Sequence, residues 1–302
     1  RLRLAKTSLT EISGIIKMKT YLLPIFALLI VGCGNQPNTE KWPIKPTNGI
    51  AARLIELDSM SRAILGDASK TQDEVAQLLQ GDDFDTKAMQ QMRDSADLVW
   101  HMFIRLCNEE KIKEAFDLYR VDKNRGYFLI ALEHSTARYL FHYEIIAGMA
   151  ANLLPEQEAY ELIIRDLELD FMLTEGMIGV NGKQYIPEHY TDLVKNLADF
   201  YREAKMWGKA FDLANRMPEI LSKAGSDPVF AYSVSKMYKA GIYKAKGDIL
   251  ESLKTLRQLK AYLVKEIKTS DNKEVLQGVL QVVDNTVKEV ETEKWHILNG
   301  AI

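Results

Sequence analysis

The sequence predicts an all-α fold in which antiparallel helix pairs stack as a short α-solenoid over residues 49–302. Three observations predict it. Apolar residues recur at three and four positions, as in Leu98, Met102, Ile104 and Leu106, and again in Leu193, Leu197, Phe200 and Tyr201; this is the spacing of one helix face. Start and stop signals divide the chain into ten or eleven helices of roughly 10–22 residues. A pattern of small and aromatic residues also returns after 42 positions, Ala198 to Ala240, Tyr201 to Tyr243 and Ala210 to Ser252, and self-similar helix pairs mark stacked repeats.

Taken in order, residues 1–17 contain Arg1, Arg3, Lys6, Glu11 and Lys17 and precede Met18. They read as an upstream extension produced by a mis-called start. Met18-Lys19 then leads into Tyr21–Gly32, about a dozen apolar residues ending at Cys33. A positive start, a short apolar core and a small terminal residue make a secretory signal, too short to span a bilayer. Ile30-Val31-Gly32-Cys33 resembles the lipobox of bacterial lipoproteins. The resemblance implies cleavage before Cys33, acyl chains including palmitate on Cys33, and anchoring to a membrane of the cell envelope. Gly34-Asn35 lacks the aspartate that retains some members in the inner membrane, which points to the outer membrane and its periplasmic face.

Residues 33–48 form a flexible tether, with Pro37, Pro43 and Pro46 and little to bury. Beyond it, Thr71 with Glu74 and Asp271 with Glu274 read as capping boxes, and Leu154-Pro155 and Asp227-Pro228 put proline at a first helical position. Breaks are expected at Gly81-Asp82-Asp83, Asn124-Arg125-Gly126 and Gly225-Ser226-Asp227. Met177–Ile186 interrupts the helical pattern, because Asn181-Gly182 between apolar-flanked runs is a hairpin signal. The alternative there is a plain loop before a helix beginning near Pro187.

The segment Tyr243-x-x-x-Gly247-Asp248-Ile249-x-x-Ser252-x-x-x-Leu256 resembles the tetratricopeptide repeat. Tyr201–Ala214 follows the same pattern with Met206-Trp207-Gly208 at the turn, and Phe103-x-x-Leu106 with Ala115-Phe116-x-x-Tyr119 is a weaker third copy. The resemblance implies that the first helix of each pair lines a concave groove. By register that groove would present Trp100 and Ile104, then Asp192, Lys195, Asp199 and Arg202, then Met237 and Lys244. Mixed charge with a few apolar anchors suits an extended peptide or another protein; an ordinary solvated face uses the same residues.

Composition narrows the partners. The 302 residues carry a formal charge of −3, and residues 1–32 hold five basic residues and one acid, which leaves about −7 on the remainder. An acidic chain gains nothing from counterion release, so nucleic acid is not an expected partner. With Cys33 lipidated, Cys107 has no disulfide partner and reads as a buried helical thiol. His134 and His142 stand about 12 Å apart along a helix, too far to share a metal. Asp82-Asp83-Phe84-Asp85 lacks the alternating ligands and closing glutamate of a calcium loop, so Asp85 reads as a helix cap.

No phosphate loop, nucleophile elbow or dinucleotide fingerprint is present, and no cofactor is implied. The expected function is therefore a lipid-anchored envelope scaffold or adaptor that binds a protein or peptide in its groove without catalysis. The alternative is a glycan-binding accessory lipoprotein of the outer membrane, with Trp42, Trp100, Trp207 and Trp295 as the candidate stacking platforms.

Overall fold

The computed structural model describes residues 45–62, 86–181, 186–270 and 272–298, and every regular element among them is helical. None of the helices in these residues is long and apolar enough to cross a membrane. Cys33, the tether to residue 44, the Thr71–Glu74 cap and the acidic run at 82–85 lie outside the described residues. The chain divides into two compact units: one holds the chain up to Pro155 together with Met172–Pro187, the other Glu156–Phe171 and Glu188 onward.

The first unit contains α1 (49–62), α2 (Thr86–Asn108), α3 (Ile112–Arg120), α4 (Asp122–Ala131), α5 (Ser135–Leu140) and α6 (Ala147–Leu153). Residues 172–181 of α7 (Glu156–Asn181) belong to it as well. Asn48 starts α1 by accepting from Ala51 N at 2.9 Å, while its amide Nδ2 donates to Cys107 O at 2.9 Å, tying the start of α1 to the end of α2. Five aromatic residues build the core. Trp100 and Phe103 of α2, Tyr119 of α3 and Phe128 of α4 converge with Phe141, all at 0–1% exposure. Phe141 opens a π-helical segment, Phe141–Ile146, that joins α5 to α6. Ring centroids lie 5.2–6.2 Å apart, mostly edge to face, the spacing that aromatic quadrupoles favour.

The second unit contains the N-terminal part of α7, then α8 (Tyr190–Glu203), α9 (Trp207–Lys223), α10 (Pro228–Ala245), α11 (Ile249–Glu266) and α12 (Lys273–Leu298). Each of α8–α12 packs on its neighbour in sequence, and α10 also touches α8 and α12. On α8 the buried stripe is Leu193, Val194, Leu197, Ala198 and Tyr201; of the residues expected there, Leu193, Leu197 and Tyr201 are buried and Phe200 only partly. On α12, Leu276, Val283 and Val290 recur every seven residues and close a core with Leu253, Leu256, Leu259 and Leu263 of α11. Asp227 caps α10 by accepting from Val229 N at 2.8 Å and Phe230 N at 3.0 Å, with Pro228 at the first helical position.

One turn geometry recurs three times. Glu110, Lys205 and Gly247 take positive φ values of 59°, 57° and 82° after α2, α8 and α10. The next residue is in a common conformation each time: Lys111 at φ −82°, ψ 55°, Met206 at −79°, 60° and Asp248 at −87°, 67°. In each turn that residue's N–H reaches back five positions, to Leu106 O, Tyr201 O and Tyr243 O at 2.8–2.9 Å, the Schellman closure of a helix C-terminus. Five residues beyond the positive-φ position stand Ala115, Ala210 and Ser252, all 0–1% exposed. Each is the fourth residue of the second helix of its pair and lies on that helix's buried face.

Only glycine adopts that φ without a Cβ penalty, so Lys205→Gly is expected to stabilise the chain by about 0.5–1 kcal/mol and Gly247→Ala to cost about 1 kcal/mol. Urea unfolding of the two variants checks both signs, and destabilisation by Lys205→Gly would refute the assignment.

Several sequence expectations are corrected. The hairpin over 177–186 does not form as expected, because Met177–Asn181 is the last turn of α7; residues 182–185 lie outside the described residues. The following helix begins at Tyr190, three residues after Pro187. Asn124-Arg125-Gly126 is no break, since α4 runs through it and the interruption falls at Val121, whose backbone is extended. On α2 the phase is different. Leu98 and Met102 are 65% and 46% exposed, whereas Trp100, Phe103, Ile104 and Cys107 are fully buried. The expected cap by Asp271 lies outside the described residues, and α12 starts at Lys273.

Candidate functional site

The predicted binding residues fall into three groups. Asp192, Lys195, Asp199 and Arg202 form one stripe on α8, opposite the buried stripe that packs the helix. Their charges are met within the stripe: Lys195 Nζ lies 3.3 Å from Asp192 Oδ1, and Arg202 Nη1 lies 3.0 Å from Asp199 Oδ1. Arg202 Nη2 is also 2.9 Å from Glu203 Oε1. The stripe meets α10 through Tyr238, whose hydroxyl lies 3.4 Å from both Lys195 O and Asp199 Oδ2. At Gly241, one turn further, a Cβ would stand 3.7 Å from Arg202 Nη1, so the guanidinium passes over bare backbone.

Lys244 continues the same face of α10 and pairs with Glu293 of α12 at 2.8 Å. Met237 is different: it is half-buried and packs on the α10–α12 core. Trp100 and Ile104 are the clear departures. Both belong to the other unit and are 0% exposed, so they support the aromatic core and present nothing to a partner. The indole Nε1 of Trp100 donates to Asp58 Oδ1 at 2.7 Å instead.

Electrostatics on the α8–α10 face follow from partial burial. Desolvation holds the Asp199 carboxyl above its ordinary value, against the pull of Arg202 and the Tyr238 hydroxyl. Burial first, and Asp199 second, push the Tyr238 hydroxyl up. The ion pairs themselves are half-exposed, a class worth about 0–1 kcal/mol each. A partner can therefore trade them for its own charges at little cost.

The remaining candidates have local explanations. His134 caps α5 by accepting from Ala137 N at 3.3 Å, and burial lowers its pKa. His142 is buried beside the Tyr119 and Phe141 rings. Burial pushes the Cys107 thiol up to about 12, which suits a packing residue and not a nucleophile. Among the described residues no three His, Cys, Asp or Glu side chains converge to hold a metal ion.

Comparison of the chain with protein-family models, with curated proteins and with solved structures gives no match.

Sequence reasoning missed Tyr238, Gly241 and Glu293 on this face. Tyr238 and Gly241 stand six and three residues before Lys244, on the same side of α10. That spacing was the available signal. Glu293 could be placed only once α12 was seen to pack against α10.

Proposed function

We propose that this chain is a lipid-anchored scaffold of the bacterial cell envelope, held by acyl chains on Cys33, that binds another envelope protein or an extended peptide and performs no chemistry. The partner lies along the α8–α10 face, over Asp192, Lys195, Asp199, Arg202, Tyr238 and Lys244. The observation that carries this reading is the turn repeated after α8 and α10 of the second unit, with its matched small residues Ala210 and Ser252. Within the second unit the two helix pairs set their first helices, α8 and α10, in contact, and a row of such helices is a surface for an extended ligand. The tetratricopeptide-like segments 201–214 and 243–256 contain two of the three turns. Outer-membrane attachment on the periplasmic side is part of the same proposal.

A photo-cross-linking side chain placed at position 195 or 238 of the full chain in cells tests it, with position 250 on α11 as the control. The expected result is one adduct of defined mass from the face positions and none from the control. The adduct disappears with Arg202→Glu plus Lys244→Glu, and Cys33→Ser moves the protein from the membrane to the soluble fraction. Equal adducts at 195 and 250, or none at either face position, would overturn the binding face; unchanged membrane association of Cys33→Ser would overturn the anchor.

A further inference from the structure

The last helix of the second unit is apolar on two sides. Leu276, Val283 and Val290 of α12 are 0–1% exposed and close the core with α11. On the solvent side, Val275 and Val282 are 56% and 50% exposed. These two stand seven residues apart, two turns or about 10 Å along one face. Gly278 lies between them and is exposed as well. It takes none of the positive φ values that favour glycine, and a Cβ there would meet no neighbouring atom within 4 Å. Glycine weakens a helix interior, and nothing in this helix's own packing calls for it. Close approach of another backbone does.

We propose that this face of α12 is a homodimer interface, on which α12 of a second copy lies antiparallel about a two-fold axis near Gln281. Val275, Gly278, Val282 and Asn285 follow one another at spacings of three, four and three, the seam by which one helix meets another. In the antiparallel orientation each Val282 projects into the space over Gly278 of the second copy, and the two-fold makes that contact twice. The flanking charges match in the same register. Glu274 and Lys288 are exposed, make no ion pair among the described residues and stand seven positions to either side of Gln281. Glu274 of each copy therefore comes beside Lys288 of the other. A parallel pairing sets Val282 against Val282 and Gly278 against Gly278, and brings no Glu274 to a Lys288. A seam of three turns is a small contact, of the transient class. None of its residues belongs to the α8–α10 face.

Sedimentation equilibrium of the detergent-solubilised full chain tests this, with a short bifunctional thiol reagent as a second readout. The expected dimer dissociation constant is about 100 μM or tighter. Gly278→Leu should weaken it about tenfold or more, although leucine is the better helix former and urea unfolding should show no loss of stability. Glu274→Lys should weaken it by a similar factor, because both intermolecular pairs turn repulsive at once. Glu274→Lys combined with Lys288→Glu should return it to within about threefold of the native value. Gln281→Cys should cross-link copy to copy, whereas Ala261→Cys, at an exposed position of α11, should not. A monomer at about 1 mM, a dimer unmoved by Gly278→Leu, no recovery in the charge-exchanged variant, or equal cross-linking from Gln281→Cys and Ala261→Cys would each overturn the proposal. Every substituted side chain is exposed, so loss of the fold does not mimic loss of the dimer.

Discussion

Replacing Trp100 with alanine is expected to cost about 3–5 kcal/mol, a large share of the 5–15 kcal/mol typical of a folded protein. Two losses combine. The indole is 0% exposed and sits 5.4 Å from Phe141 and 6.0 Å from Phe128, edge to face, with Phe103 stacked at 6.2 Å. Its removal empties the centre of the five-ring core. It also removes the N–H that donates to Asp58, a carboxylate 1% exposed, and a buried acceptor stripped of its donor costs about 1–3 kcal/mol. Trp100→Phe separates the two, because it keeps a ring and removes only the donor. Leu98→Ala, two residues away and 65% exposed, should stay within about 0.5 kcal/mol. Urea unfolding followed by far-ultraviolet circular dichroism ranks the three. If Trp100→Ala costs no more than Leu98→Ala, the indole is a surface group and the groove expectation for Trp100 returns.

That comparison also locates where the sequence was hard to read. Between Ala96 and Cys107 nine of the twelve residues of α2 are apolar, so two apolar stripes compete: Leu98 with Met102, or Trp100 with Phe103, Ile104 and Cys107. Asp97, His101 and Arg105, four residues apart beside Leu98 and Met102, were the one local signal for the solvent face. The choice is made by Phe128 and Phe141, which arrive from later in the chain. On α8 the two faces differ in polarity, Leu193, Leu197 and Tyr201 against Asp192, Lys195 and Asp199, and there the pattern was legible in full.

The hairpin expectation failed for a related reason. An Asn-Gly pair ends a helix as readily as it turns a ribbon, and α7 runs unbroken to Asn181. The recurring turn was legible where its glycine and small residue are present, at Gly247 and Ser252. It was faint at 103–119, where Glu110 occupies the left-handed position that Gly247 fills in the other copy. The backbone repeats there although the side chains do not.

Ser235→Ala is expected to destabilise the second unit by about 1–3 kcal/mol, and to do so because of a proline on another helix. Pro218 lies inside α9, where its missing N–H leaves the carbonyl of Ala214, four residues earlier, without its helical donor. Ala214 is 0% exposed, so water cannot supply one. The Ser235 hydroxyl of α10 donates to that carbonyl at 2.6 Å, with Ser235 itself 1% exposed. The serine thus completes the hydrogen bonding of a neighbouring helix that its own sequence leaves incomplete. Pro218→Ala restores the N–H, so in the P218A background the serine hydroxyl becomes one of two donors and Ser235→Ala should cost clearly less. The expected coupling is about 1 kcal/mol or more, well above the 0.3–0.5 kcal/mol within which independent sites add. A double-mutant cycle by urea unfolding measures it. Equal costs of Ser235→Ala in the two backgrounds would mean that the hydroxyl and the proline act independently, and that the buried Ala214 carbonyl is satisfied by something else.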